Sequence, residues 1–379
     1  MTDLRPDDSR LPGPIARLRD HGVAIWLDDL SRELLTSGEL ARLVTDRGVV
    51  GVTSNPTIFA AAMAEGNAYD AQLATLAAAG TPLDDAVLEL MVTDVRDACD
   101  LLADLHRASG GLDGRVSLEV APSLAHDTEG TVQMARRLWT AVDRPNLYIK
   151  IPATAAGLPA IATATAEGIN VNVTLIFSLD RYRGVLDAYA EGLERAQSAG
   201  RDVTAIDSVA SFFVSRVDTA VDARLDALGT PEAAELRGTI AIANARLAYQ
   251  IFTEFTAGSR WRALADSGAN PQRPLWASTG VKDKAYSDTR YVDELVAPGV
   301  VNTMPVATLD AVADHGDITG DTVTRRYADA QAKLDRLAAL GVSLDDVTTE
   351  LEAQGVAKFQ ASWDDLVATV TDGLGGARR

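Results

Sequence analysis

Lys150 stands in the middle of NLYIKIPAT, between Ile149 and Ile151, where an apolar strand is expected. Lysine is among the residues least often found inside a core. Water loss disfavours an ammonium group relative to the neutral amine, and a neutral amine is a nucleophile. Such amines attack carbonyls and form Schiff bases, which turn a ketone into an electron sink and let the adjacent carbon–carbon bond break or form. That chemistry needs groups that move protons at carbinolamine formation, at bond cleavage and at hydrolysis. Two carboxylates occupy similar strand positions, Asp28 in WLDDL and Glu119 in SLEVAP. The competing reading of Lys150 and Glu119 is a structural ion pair, because an unpaired buried charge is costly.

Further polar residues recur near the ends of apolar runs: Asn55 in TSNP, Asn172 and Thr174 in NVNVTL, Ser211 in VASFFVSR and Ser278 in WASTG. Singly each has a plain explanation, a turn for Asn before Pro and satisfaction of nearby backbone for Ser or Thr. As a set around an inward lysine they have the composition of a site. Arg216 follows the sixth apolar run and Lys282, in STGVKDK, follows the seventh. Late loops of a barrel commonly hold phosphate, so these two cations fit the anionic end of a sugar phosphate; the plain alternative for Arg216 is a solvated surface charge. Asp29 adjoins Asp28, and strand alternation sends the two to opposite faces.

These residues need elements to hold them. Strands are expected over 23–29, 51–55, 115–121, 147–153, 169–177, 206–214, 273–279 and 301–305. Helical periodicity fills the intervals, for example Asp127–Ala141, Ala156–Glu167, Ser178–Ser198, Pro231–Ala257 and Asp288–Val296. Alternation of this kind means a parallel sheet covered by helices, and eight units with no GxGxxG after the first strand favour an α/β fold closed as a (β/α)8 TIM barrel. Long Ala-rich stretches before the third and seventh strands read as helical insertions. The chain 1–379 reads as one barrel domain, with strands from about 23 to 305 and C-terminal helices over 321–372, and GLGGARR is expected to fray.

The balance of 35 basic against 54 acidic residues, net -19, argues against nucleic acid or anionic membrane as partner, since both require a cationic face. The single cysteine, Cys99, allows no intrachain disulfide. No basic-then-apolar leader opens the sequence, and no apolar run approaches the roughly 18 to 20 residues of a membrane span, so a cytoplasmic location is expected. His21, His106, His126 and His315 have no partners at metal-ligand spacing, and no GxxxxGK[ST] or EF-hand pattern occurs. The expectation is chemistry without a metal or cofactor.

GVTSNPTIF, VSLEVAPSLAHDTEGT, LYIKIPAT, GINVNVTLIFS, SFFVSRVD and NTMP, in this order, resemble the transaldolase family, and GVAKF resembles its closing helix. The likeness runs from about residue 22 to 305 and is strongest to the longer bacterial branch. It implies a class I mechanism of the pentose phosphate pathway. Lys150 forms the Schiff base with a ketose phosphate, sedoheptulose 7-phosphate or fructose 6-phosphate, and a dihydroxyacetone unit passes to erythrose 4-phosphate or glyceraldehyde 3-phosphate. The same likeness makes Asp28 the acid/base for the substrate hydroxyl, and Glu119 with Thr174 the holders of the catalytic water. Asn55, Asn172 and Ser211 become contacts of the dihydroxyacetone unit, and Arg216 and Ser278 contacts of the phosphate. One departure stands out: Gly280 occupies a position where much of the family has an arginine, with Lys282 nearby as the replacement charge.

Three rival readings follow. A related fructose-6-phosphate aldolase would release free dihydroxyacetone, but such relatives are shorter and tend to carry Tyr where this chain has Phe213. A barrel isomerase would use Glu119 as the base and Lys150 as a charge only. A non-catalytic sugar-phosphate-binding barrel would not need Lys150, Glu119, Asp28 and Thr174 together.

Overall fold

The computed structural model describes residues 10–377. Eight strands lie in sequence order: β1 (Ala24–Leu27), β2 (Val49–Val52), β3 (Arg115–Glu119), β4 (Leu147–Pro152), β5 (Val171–Ile176), β6 (Ser208–Phe213), β7 (Arg273–Ala277) and β8 (Val301–Met304). Every neighbouring pair is parallel, and β8 pairs back onto β1 to close the barrel. All eight expected strands are present, with ends trimmed where polar residues leave the ladder. At β2 the trimming has a clear cause: Asn55 caps the Pro56–Ala64 helix, its Oδ1 accepting from the Ile58 amide at 3.1 Å.

Helices fill the crossovers that parallel pairing requires. Both expected insertions are helical, Pro56–Ala64 through Ala103–Ala108 before β3 and Pro231–Ala234 through Ser259–Ala265 before β7. Three expectations need correction. The expected Pro231–Ala257 helix is broken into Pro231–Ala234 and Ile240–Ala257, because the Gly238 amide turns to Asp222 Oδ1 at 2.9 Å. The expected Asp288–Val296 helix is only Arg290–Asp293, beside Ser287 and Thr289 hydroxyls that bond each other and Asp293 Oδ2. The tail does not fray where expected: the last helix continues to Ala377 with Leu374 buried against the core, and the final two residues lie outside the described range. No helix among the described residues is long and apolar enough to cross a membrane.

Period-two alternation sends every second strand side chain into the barrel. Near the strand starts that interior is plugged. Trp26 stacks on Tyr148 with centroids 6.0 Å apart, the Arg115 guanidinium lies 4.9 Å from the Tyr148 ring centroid, and Arg115 Nη2 pairs with Asp207 Oδ2 at 2.9 Å. Ile149 and Ile151 have the opposite parity on β4 and are fully buried, each worth roughly 1.5–3 kcal/mol against the helical shell. Tyr148 and Lys150 share the inward parity, so the strand pattern that buries two isoleucines turns the lysine into the barrel.

The 34-residue helix Leu344–Ala377 would span roughly 50 Å. It packs on the insertion helices after β2, on the Ser215–Leu228 helix and on β5. This places it across the end of the barrel where the strands finish.

Gly51 on β2 is required by the plug. A Cβ there would lie 2.5 Å from Trp26 Cε2, and the indole is held by its stack on Tyr148. Gly51→Ala is expected to destabilise the protein by about 1–3 kcal/mol, read as a lower denaturant midpoint at unchanged slope.

Candidate active site

Glu119 and Lys150 are register partners on β3 and β4. Their side chains meet: Lys150 Nζ is 3.5 Å from Glu119 Oε2, with the two side chains 5% and 2% exposed. Nζ also donates to the Ser54 carbonyl at 3.2 Å, whereas Glu119 Oε2 accepts no hydrogen bond within the protein. The contact is thus a close approach of charges that leaves acceptor capacity on the carboxylate. Burial pushes Glu119 up to about 7, with the Lys150 charge pulling against it and the Asp28 charge adding to it. A carboxyl group poised there can give or take a proton near neutrality. Lys150 is thus ion-paired with Glu119 and also lines an open cavity.

That cavity, of about 220 Å³, lies at the strand C-terminal ends. Asp28 lines it with Lys150, while Asp29 faces a separate recess with Ser31 and Tyr69, which settles the orientation of the two aspartates. Asp28 Oδ1 accepts from Thr53 Oγ1 at 2.8 Å, and Thr53 Oγ1 is 2.7 Å from Thr303 Oγ1. Thr53 and Thr303 follow or sit on β2 and β8, the two neighbours of β1 in the closed barrel. They were not among the sequence candidates. The signal that finds them is closure itself, which makes the last strand a neighbour of the first.

The remaining candidates divide into those that face the cavity and those behind it. Ser211, Asn55, Ser278, Arg216 and Lys282 line it. Asn172 is buried behind Ser211: its Oδ1 accepts from Ser211 Oγ at 2.7 Å and its Nδ2 donates to Ser117 Oγ at 3.0 Å. Thr174 is fully buried, and its Oγ1 has no hydrogen-bond partner in the protein. Thr174 is the β5 register partner of Pro152, so it and Glu119 lie on the two strands that flank Lys150. Ser278 holds φ at 56°, a left-handed conformation costly for a residue with a Cβ, and its Oγ lies 3.0 Å from Ser215 Oγ beside Arg216. Arg216 itself rests on Phe213, 5.3 Å from the ring centroid.

Two further lining residues, Lys358 and Phe359, come from the C-terminal helix and were not singled out as site residues in the sequence. Gly355 lets this helix approach, since a Cβ there would meet Leu175 Cδ2 at 2.9 Å at the end of β5. One turn on, the Phe359 ring centroid lies 6.0 Å from Lys150 Nζ, and Ser362 Oγ then bonds Thr57 Oγ1 at 2.8 Å. The spacing Gly355, Phe359, Ser362 marks one helix face in the sequence, but not the surface it meets. Among the described residues, no group of three His, Cys, Asp or Glu side chains is placed to hold a metal ion.

Comparison with known proteins places these features in context. Residues 25–370 match the profile of the Transaldolase/Fructose-6-phosphate aldolase family. The chain is 62% identical to a protein named Transaldolase from Thermobifida fusca, covering 95% of this chain and 98% of that one. It is 60% identical to Transaldolase 1 of Streptomyces coelicolor over 96% and 95% of the two chains. A Transaldolase from an Arthrobacter species is 57% identical over 97% and 99%.

The raised Glu119 carboxyl has a consequence for stability. Between the unfolded value near 4.5 and the folded value of about 7, the native state holds a proton that the unfolded chain has lost. This contribution therefore falls as pH rises through that window, by on the order of 3 kcal/mol in full. Glu119→Gln is expected to gain stability relative to the parent as pH rises from 4.5 to 7, measured by urea unfolding of both proteins across that range.

Proposed function

The chain belongs to the Transaldolase/Fructose-6-phosphate aldolase family, and on that premise we propose that it is a transaldolase moving a dihydroxyacetone unit between sugar phosphates through a Schiff base on Lys150. Donors are fructose 6-phosphate or sedoheptulose 7-phosphate; acceptors are glyceraldehyde 3-phosphate or erythrose 4-phosphate. The observation that carries this reading is the placement of Lys150 Nζ in the cavity, 3.5 Å from Glu119 and with Asp28 on the same wall.

The chemistry follows from the residues in place. The Lys150 amine adds to the ketose carbonyl carbon, and loss of water leaves an iminium. Glu119, near neutral in its proton affinity, moves protons in this step and in the final hydrolysis. Thr174 Oγ1, buried without a hydrogen-bond partner, and Glu119 Oε2, whose one close contact is Lys150 Nζ at 3.5 Å, supply polar contacts for the water involved. Asp28, held by Thr53, takes the proton of the substrate hydroxyl as the carbon–carbon bond breaks. The electron pair of that bond passes to the iminium, giving an enamine, and the aldose phosphate leaves. Addition of the enamine to the acceptor aldehyde reverses these movements. In this reading Ser211, braced by Asn172, and Asn55 contact the hydroxyls of the retained three-carbon unit, and Arg216, Ser278 and Lys282 contact the phosphate, in keeping with their lining of the cavity.

Phe213 on the cavity wall supports transfer over free aldol cleavage, since a phenylalanine offers no hydroxyl to protonate the enamine. The whole chain acts as one unit in this proposal, supported by the C-terminal helix lining the same cavity as the strands. We place it in the cytoplasm, a site suited to one buried, unpaired cysteine.

Borohydride treatment with fructose 6-phosphate is expected to leave a covalent adduct on Lys150, located by peptide mass spectrometry. Lys150→Ala should lose both adduct and turnover while keeping its circular dichroism. Asp28→Asn should lower turnover by about 10²–10⁴ but still be trapped. Fructose 6-phosphate consumption independent of erythrose 4-phosphate would overturn the transferase reading, and absence of any adduct would favour the isomerase.

A further inference from the structure

In a chain of net charge -19, the cavity is lined by four cations, Lys150, Arg216, Lys282 and Lys358, and by one carboxylate, Asp28. Lys150 has Glu119 as its counter-charge. Arg216, Lys282 and Lys358 form no ion pair within 4.0 Å among the described residues, while most other arginines of the chain do, as with Arg136 and Glu167 or Arg260 and Glu194. The three come from separate parts of the chain: the helix after β6, the loop after β7 and the C-terminal helix. They also line an adjoining groove between the Ser215–Leu228 helix and the C-terminal helix, so they stand at the junction of cavity and exterior. Partial desolvation and the charges of Arg216 and Lys282 all lower the proton affinity of Lys358, as expected of like charges gathered without a counter-ion.

Like charges held together by the fold repel one another until an anion neutralises them. Among the described residues, Asp28 is the only carboxylate on the cavity wall, and it is tied to Thr53. We propose that Lys358 of the C-terminal helix is a direct phosphate contact, completing with Arg216 and Lys282 a three-cation cradle that selects phosphorylated sugars. The placement of Lys358 is not adjustable by loop movement alone, because Gly355 on Leu175, Phe359 over Lys150 and Ser362 on Thr57 fix the helix on either side of it. The helix thereby links the phosphate end of a substrate to the lysine that holds its carbonyl end. Gly280, in the loop between Ser278 and Lys282, brings no charge of its own, which leaves room in the cradle for a cation from the helix.

This proposal rests on the transaldolase reading for its substrates but not for its first test. Binding of inorganic phosphate to the intact protein, followed by calorimetry, does not depend on turnover. Lys358→Met is expected to weaken it about tenfold or more, and Lys358→Arg to restore most of it, in keeping with loss of a charge-assisted hydrogen bond. In the transfer assay with saturating fructose 6-phosphate, the loss of kcat/KM for erythrose 4-phosphate should exceed the loss for unphosphorylated erythrose by about the same factor, carried by KM. Equal losses for the two acceptors, or unchanged phosphate binding in Lys358→Met, would overturn the proposal. Absence of transfer in the parent protein with phosphate binding still sensitive to Lys358 would instead defeat the transaldolase reading and leave the cradle standing. Lys358 is exposed, so its substitution should not disturb folding, and thermal unfolding of the variant checks this.

Discussion

The approach of Lys150 to Glu119 organises the rest of this protein. Two opposite charges on neighbouring parallel strands, almost wholly removed from water, are tolerable only if each meets the other or another polar group. Here the pairing is incomplete by design of the fold: the lysine has the carboxylate and one carbonyl, while one carboxylate oxygen keeps unused acceptor capacity. The pair also lies at a cavity, which Lys150 lines. The bottom of the same barrel shows the contrast, where Arg115 and Asp207 close to 2.9 Å and the guanidinium is further covered by Tyr148.

The barrel interior is consequently divided along its axis. Near the strand starts, aromatic stacking and a tight ion pair fill the space; near the strand ends, small polar side chains braced by one another surround a cavity. Three side chains of the cavity wall have partners that restrict their motion: Thr53 for Asp28, Asn172 for Ser211, Ser215 for Ser278. The left-handed backbone at Ser278 is strain stored at the cavity rim and held there by that contact with the helix after β6. The C-terminal helix completes the enclosure from outside the barrel, bringing an apolar ring toward the lysine and a cation toward the rim.

Much of this was legible in the chain. Strand order follows from the alternation of strand and helix patterns, and the opposite facing of Asp28 and Asp29 and the shared parity of Lys150 with Tyr148 follow from period-two alternation, a local property of the backbone; the choice of Asp28 came from the family resemblance. Thr53 and Thr303 were not legible in the same way, because what makes them matter is that β8 lies beside β1, a relation between residues 250 positions apart. The broken Pro231–Ala257 helix has the same origin, since its interruption depends on a buried aspartate in another helix. The tail, rich in glycine, reads as frayed because its packing partners are distant in sequence.

The amino-acid sequence by itself determined the alternation of strands and helices, the inward set of charged and hydroxyl side chains, and the family to which they belong. Those features depend on periodicity and on short ordered motifs, and both survive without knowledge of long-range contacts. Only the tertiary structure decided that Glu119 Oε2 meets Lys150 at ion-pair distance, that Asn172 lies behind Ser211, and that Lys358 reaches the cavity from the C-terminal helix. These are distances and directions set by barrel closure and by helix seating, and no local pattern encodes them.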